Sequence, residues 1–328
     1  MIFPYWLRLL CLCFASFFLI HCVLSLILWL VSRRMIRLAE RIRPRLATTF
    51  LFFSRMAPAG LSLLIVLGLC VPSYLWLEPD SVAERIGFAC VAAALLGFTT
   101  WNIAIARSLW AAAKSFRYTH QCQQAGREAR ICGESGPVLV LQQETPLLAL
   151  TGVIQTRLLI SRGVISVLTP SQLDAALRHE VAHRISRDNL KRLLLLLAPD
   201  VLPFSKAFAS IDRVWNRLSE WAADDYAAGT DARRALSLAG ALVRVARMGA
   251  APRALNLLTA LIDDDQDLSI RVERLLYSKR ANENLPQGSL LRVIVGCTAL
   301  LVTGCISTAL LWPATLSSVH ELLERLVH

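Results

Sequence analysis

Thr169-Pro170-Ser171-Gln172-Leu173-Asp174-Ala175-Ala176-Leu177-Arg178-His179-Glu180-Val181-Ala182-His183 opens with the signals that start a helix. Thr169 can cap, Pro170 suits the first helical position because its missing N–H costs nothing there, and Gln172 can reach back to close a capping box. On the helix that follows, His179 and His183 are four residues apart and share a face, so two imidazoles can converge on one cation. Glu180 is one step round the axis, beside the cation's open position. Two neutral nitrogen ligands with an adjacent carboxylate are what zinc-assisted hydrolysis requires, the carboxylate serving as the base. Apolar Leu173, Ala176, Leu177, Val181 and Ala182 surround the histidines, as a buried metal helix needs.

Around this helix the chain is apolar. Its 328 residues could fill two ordinary domains, but 55% hydrophobic content and a mean hydropathy of +0.51 exceed what a wholly soluble protein carries. Four stretches, residues 9–31, 60–77, 86–106 and 290–312, come close to the roughly 20 residues that cross a bilayer. The first is longer than the core of a signal peptide and is read as a retained anchor. Between the first two spans stand Arg33, Arg34, Arg37, Arg41, Arg43, Arg45 and Arg55 against Glu40 alone, whereas the next loop, residues 78–85, is net acidic. The excess of arginine places the first loop in the cytoplasm, where it meets anionic headgroups of the lipid bilayer. With four spans the large segment between the third and fourth is cytoplasmic too.

The formal charge of +11 is largely accounted for by that arginine loop. No nucleic-acid recognition fold accompanies it, so no nucleic-acid partner is expected. Of the nine cysteines, seven fall in expected spans, and Cys122 and Cys132 lack metal or redox spacing, which suits a reducing compartment.

Residues 107–130 read as a helix leaving the membrane. Val138-Leu139-Val140-Leu141, Leu147-Leu148-Ala149-Leu150 and Arg157-Leu158-Leu159-Ile160-Ser161 are short apolar runs between turn residues and read as a small sheet. An exposed edge there would accept an extended substrate, unless another element covers it. After His183 the helical pattern continues through Arg187-Asp188-Asn189 into Leu193 to Leu197, a run too short for a span and read as core or as a surface lying against the membrane. Further helices are expected over residues 212–228 and 231–248.

A catalytic zinc takes three protein ligands. Position 189 is Asn, which excludes a third histidine six residues after the second, so a carboxylate is expected from Asp188, Asp200, Asp212, Glu220, Asp224 and Asp225. Glu220-Trp221-Ala222-Ala223-Asp224 stands out: on a helix Glu220 and Asp224 share a face, so Glu220 can bind zinc while Asp224 accepts the second N–H of a ligand histidine. Asp188, on a continuing helix, would lie roughly 140° around the axis from His183 and is expected to point away from the metal.

The stretch from Leu173 to His183, the Arg187-Asp188-Asn189 after it and Glu220-Trp221-Ala222-Ala223-Asp224 resemble the peptidase region of integral-membrane zinc peptidases of the BlaR/MecR antirepressor type, and are similar to the HtpX and prenyl-protein (CAAX) proteases. The resemblance covers residues 138–226 and the four-span layout. It implies His179, His183 and Glu220 as ligands of one Zn2+, Glu180 as base, Asp224 behind a ligand histidine, and Arg271 as a group that steadies the oxyanion. Beta-lactam sensors of that type carry a large external penicillin-binding domain after the last span, whereas residues 313–328 alone follow it here, so antibiotic sensing is not expected.

The expected protein is mainly α with a small β-sheet: a four-span helical membrane protein with a gluzincin-like peptidase domain facing the cytoplasm from a bacterial inner membrane. Residues 1–106 form the three-span region, 107–289 the peptidase domain, and 290–328 the fourth span and a short external tail. Its expected activity is zinc-dependent endopeptidase cleavage of a protein or peptide substrate, such as a repressor or a membrane protein. The alternative is a non-catalytic membrane signalling or scaffold protein with a structural zinc; an intact Glu180 argues against it, since a structural site needs no base.

Overall fold

The computed structural model describes residues 4–77, 86–129, 138–201, 204–249, 259–260, 265–277, 317–319 and 321. The expected fourth span, residues 290–312, lies outside the described residues, as does the acidic loop 78–85. Most of the described chain is helical, and three helices are long and apolar enough to cross a membrane: Tyr5–Ala39, Pro44–Leu77 and Phe88–Ala125. These features describe a membrane protein.

The first of them, α1 (Tyr5–Ala39), runs well past its expected end. The second is longer still at its start. Helix α2 (Pro44–Ile65) begins with Pro44 in its first turn and passes through a π segment, Val66–Cys70, into α3 (Val71–Leu77). The wide π turns come just before Pro72, which has no N–H to return and whose ring crowds the preceding turn, so the helix absorbs the proline without ending. The arginine loop is therefore short. Arg33, Arg34 and Arg37 belong to the last turns of α1, and Arg45 and Arg55 belong to α2.

Helix α4 (Phe88–Ala125) combines the third span with the helix expected after it, and ends where Gly126 turns the backbone extended. It runs parallel to α1 in register: Phe14 meets Phe98 with ring centroids 5.5 Å apart, and Phe17 meets Trp101 at 5.4 Å. Gly97 makes this approach possible, because a Cβ there would stand 2.4 Å from the Phe14 carbonyl oxygen.

Beyond α4 a five-stranded mixed sheet forms, comprising β1 (Arg127–Ala129), β2 (Val138–Leu141), β3 (Leu148–Thr151), β4 (Arg157–Ser161) and β5 (Thr259–Ala260) in the order β1-β2-β4-β3-β5. The three apolar runs are β2 to β4; β2 and β4 pair in parallel, β3 and β4 antiparallel. The outer edge of β3 is covered by β5, Ala149 facing Ala260. Another element thus occupies that edge.

Helix α5 (Arg162–Val167) leads into α6 (Pro170–Ser186), which starts with the full capping box: Thr169 accepts from the Gln172 backbone and Gln172 accepts from Thr169. The helix then breaks. Arg187 is left-handed at φ 53, and α7 (Asp188–Leu197) sets off in a new direction. Arg187 is the only non-glycine with positive φ among the described residues, a conformation that L side chains adopt at a cost. Asn189 anchors the new helix by donating to the carbonyls of Leu150 (3.1 Å) and Gly152 (2.8 Å) at the end of β3.

Helix α8 (Ser205–Ala228) starts earlier than expected, and α9 (Ala232–Arg247) lies within the expected 231–248, its first turn capped by the Asp231 side chain. Helix α10 (Asp265–Tyr277) packs on α8 and α9. Ala175, Ala176 and Leu177 of α6 share one core with Leu238 and Leu242 of α9 and with Leu158 and Ile160 of β4. A second core joins the domain to the membrane helices: Phe208, Ile211, Trp215 and Leu218 of α8 pack with Leu28 of α1 and Leu51 of α2. Arg217 of α8 pairs with Glu40 just past α1, and α6 with its two histidines packs on α8, so the arginine-rich connection lies at the same end of the bundle as that pair.

The Gly97 contact is testable. Gly97→Ala pushes a methyl into backbone and should destabilise the folded protein by about 1–3 kcal/mol, whereas Gly60→Ala, with nothing within 4 Å of its Cβ, should leave stability unchanged or raise it by up to about 1 kcal/mol. Unfolding midpoints in detergent, compared across the two variants, check the difference.

Candidate metal centre

Helix α6 carries His179 and His183 on its inward face, both fully buried, and α8 brings Glu220 across to meet them. Between Glu220 and Asp224, Ala223 is buried and Ala222 is half-buried. The two Nε2 atoms are 3.1 Å apart. Glu220 Oε2 is 3.4 Å from His179 Nε2, and its Oε1 is 3.5 Å from His183 Nε2. These three side chains are the one group among the described residues that could hold a metal ion.

The outer edge of each imidazole is held by an aspartate. His179 Nδ1 lies 2.9 Å from Asp224 Oδ1, as expected for that residue. His183 Nδ1 lies 2.7 Å from Asp188 Oδ2, which corrects the expectation that Asp188 points away. That expectation assumed a continuous helix; the left-handed turn at Arg187 swings Asp188 back behind the His183 ring. Ser219, one residue before Glu220, donates to the same Asp188 oxygen at 2.7 Å, and Lys191 Nζ lies 3.4 Å from the other. His183 Nδ1 is hydrogen-bonded to its aspartate, whereas His179 Nδ1 is at ion-pair distance from Asp224 without an aligned hydrogen bond; with each ring's proton on its Nδ1 edge, both Nε2 lone pairs can turn to one cation.

Arg271, from α10, is not on an exposed face: it is 4% exposed. Its Nε and one terminal nitrogen donate to the two oxygens of Asp224, each at 2.8 Å, a bidentate fork. Its other terminal nitrogen is 3.2 Å from Glu220 Oε2. Arg192 of α7 approaches Glu220 Oε1 at 3.9 Å. Asp200, Asp212 and Asp225 are not part of the centre: Asp200 pairs with Arg55 and Arg107, Asp212 with Arg55, and Asp225 with Arg274.

Charge in this pocket is unbalanced toward the negative. Burial disfavours the charged form of His183, yet Glu220 and Asp188 override it and raise the imidazole to about 10; His179 is raised in the same way by Asp224 and Glu220. Burial likewise pushes Glu220 and Asp224 upward, but His183 and Arg271 hold Glu220 well below the usual carboxylate range, and Arg271 holds Asp224 at about 2. Imidazoles that gain protons while their carboxylates stay ionised mark a pocket that favours added positive charge. Glu180 behaves differently. Its carboxyl is 0% exposed, neither oxygen has a hydrogen-bond partner among the described residues, and burial raises it to about 7.

Neither oxygen of Glu220 makes a well-aligned hydrogen bond, although histidine and arginine nitrogens surround it at ion-pair distance. A buried carboxylate left so is costly unless something else satisfies it. The residues present therefore fit a divalent cation. Glu220→Ala should leave the purified protein nearly metal-free, and Asp188→Ala and Asp224→Ala should each weaken metal affinity about 10-fold to 100-fold. Asp174→Ala, which loses only a surface pair with Arg178, should bind like the parent; metal content by mass spectrometry and competition with a chelating dye read the series. Comparison of the chain with protein-family models and with curated proteins finds no match, so the chemistry of this centre is argued from its own geometry.

Proposed function

We propose that the protein is a membrane-embedded zinc metalloendopeptidase. The observation that carries this reading is a His2Glu ligand set, its atoms 3.1 to 3.5 Å apart, beside a buried and unpartnered Glu180. Four-coordinate zinc with bonds of about 2.0–2.1 Å separates its ligand atoms by about 3.3 Å, and the spacing here matches. Two imidazoles and one carboxylate also leave a fourth position free, the mark of catalytic rather than structural zinc.

Bound there, zinc would supply Lewis acidity to a peptide carbonyl and acidify a water molecule. The chain's own residues supply the rest. Glu180, with its carboxyl raised to about 7, is poised both to take the proton of the attacking water and to pass it to the departing amine nitrogen. Asp224 and Asp188 keep the two imidazoles in the tautomer whose Nε2 is free, and Ser219 steadies Asp188. Arg271, with its nitrogens on Asp224 and Glu220, positions the carboxylates. That commitment supports a holding role for it in preference to the expected contact with the oxyanion.

The alternative, a structural zinc in a signalling or scaffold protein, gives no reason to keep Glu180 buried without a partner at a cost of about 1–3 kcal/mol or more. The substrate in our reading is a protein or peptide, and the arginines at the domain's end of the bundle support a cytoplasmic site on a bacterial inner membrane.

Glu180→Gln tests the mechanism. It should retain the parent's zinc content and lose about 10²-fold to 10⁴-fold of the cleavage rate on casein or on the chain itself; parent-like cleavage by a zinc-loaded variant would remove Glu180 from the mechanism.

A further inference from the structure

The end of α7 and the residues after it, Leu196 to Asp200, lie opposite an unusual set of partners. Three membrane helices each reach it with a polar side chain. His21 of α1, 1% exposed, places Nε2 at 3.2 Å from the Pro199 carbonyl. Arg55 of α2, 2% exposed, pairs with Asp200 and lies 3.4 Å from Asp212. Arg107 of α4 pairs with Asp200 at 2.7 Å and donates to the carbonyls of Leu196 and Ala198 at 2.8 and 3.1 Å.

The depth of these three residues can be read along the helices. Residues 56–77, beyond Arg55, and 88–106, before Arg107, carry no charge. At 1.5 Å per residue these runs span about 33 Å and about 28 Å, and the hydrocarbon layer is about 30 Å thick. Arg55 and Arg107 therefore stand at the edge of that layer. Helix α1 gives the same level independently: the register with α4 sets His21 beside Ile105, about 22 Å along the helix from Trp6 and about 12 Å short of Trp29. Trp6, Trp76 and Phe88 are 67%, 69% and 88% exposed at one end of the bundle; Trp29, Phe53 and Trp110 are 47%, 55% and 57% exposed toward the other. Exposed aromatic residues in this arrangement form the two interfacial girdles of a membrane protein. Arg33, Arg34, Arg37, Lys114 and Arg117 follow just beyond the second girdle, at headgroup height.

Pro199 and Asp200 are thus deeper than the second girdle. Helix α7, which descends to them, leaves Leu193, Leu194, Leu196 and Leu197 half-exposed, an apolar surface at a level where the neighbouring helices also show apolar side chains outward, among them Leu26, Ile27, Ile103 and Leu109.

We propose that the end of α7, through Pro199 and Asp200, is sunk through the headgroup layer to the hydrocarbon boundary, with lipid acyl chains covering the leucines of α7. Charge complementarity makes the depth sustainable: Asp200 and Asp212 arrive with Arg55 and Arg107 already waiting, so no unpaired charge enters the layer. The peptidase domain is then held by the bilayer itself, and not only by the spans attached to it.

The test uses the full chain in vesicles of phosphatidylcholine and phosphatidylglycerol containing a trace of phosphatidylcholine with a diazirine in its acyl chain. After illumination, adducts are mapped by peptide mass spectrometry. Acyl adducts on residues 193–197 should reach the order seen on exposed Leu95 and Phe98 in mid-span, and exceed those on Leu236, an exposed leucine of α9, by about tenfold. A parallel sample with the diazirine on the headgroup separates immersion from surface contact. Adducts on α7 from the headgroup probe alone, or none while Leu95 and Phe98 are labelled, would overturn the proposal, the latter pointing to a protein partner over the leucines. Neither outcome depends on zinc or on catalysis.

Discussion

The two Nε2 atoms of His179 and His183 face each other at 3.1 Å, and one cation can use both only if each ring carries its proton on the opposite, Nδ1 edge. Asp224 and Asp188 hold it there from two directions, and much of the domain serves to deliver them. Asp224 arrives on α8 with Glu220 and is gripped by Arg271 from α10. Asp188 arrives from the other side because the chain turns left-handed at Arg187. The left-handed residue, unfavourable by itself, is repaid by placing Asp188 on His183 and Asn189 on the end of β3. The motif helix, the sheet and α7 are thereby locked at one corner.

Helix α7 starts at this corner and ends at the ionic cluster of Arg55, Arg107 and Asp200. One ten-residue helix therefore joins the group that sets the His183 tautomer to the three membrane helices. Helix α8 makes the same journey in reverse, from Phe204, whose ring meets Trp29, to Glu220, about 24 Å along its axis. Both helices that carry groups of the candidate centre also touch the long apolar helices, so its distance from them is set by helix length.

Much of this was legible in the chain. The cap of α6, the shared face of the histidines, and the pairing of Glu220 with Asp224 follow from local rules of spacing, and the structure brings those residues together. The strands β2 to β4 were legible for the same reason. Asp188 was not, because helical periodicity extends smoothly across Arg187 and nothing in Ser186-Arg187-Asp188 resembles a glycine that would mark a left-handed turn. A signal did exist: an aspartate five residues after a ligand histidine, followed by Asn, is a poor continuation for a leucine helix. Helix lengths were missed too. Hydropathy ends a span at its first charges, whereas Arg55 and Arg107 lie within continuous helices and find their partners far away in sequence. Arg271 was singled out by resemblance alone, and only the folded chain shows its fork on Asp224.

The arginine also explains how a site so rich in acid can exist before any metal arrives. Glu180, Asp188, Glu220 and Asp224 are buried within one pocket, and four unpaired carboxylates could not be desolvated together. Arg271 and Lys191 balance Asp224 and Asp188 without touching the facing imidazole edges. Had those cations been placed between the imidazoles, they would have filled the position a metal needs. Arg271 and Arg192 approach Glu220 at 3.2 and 3.9 Å, close enough to keep it ionised, but neither makes an aligned hydrogen bond to it. The remaining negative charge is therefore concentrated where Glu220 and the two Nε2 atoms converge. A folded, metal-free chain with that residue of charge is prepared to bind a divalent cation, and Glu180 beside it keeps a carboxyl raised by burial with no hydrogen-bond partner among the described residues.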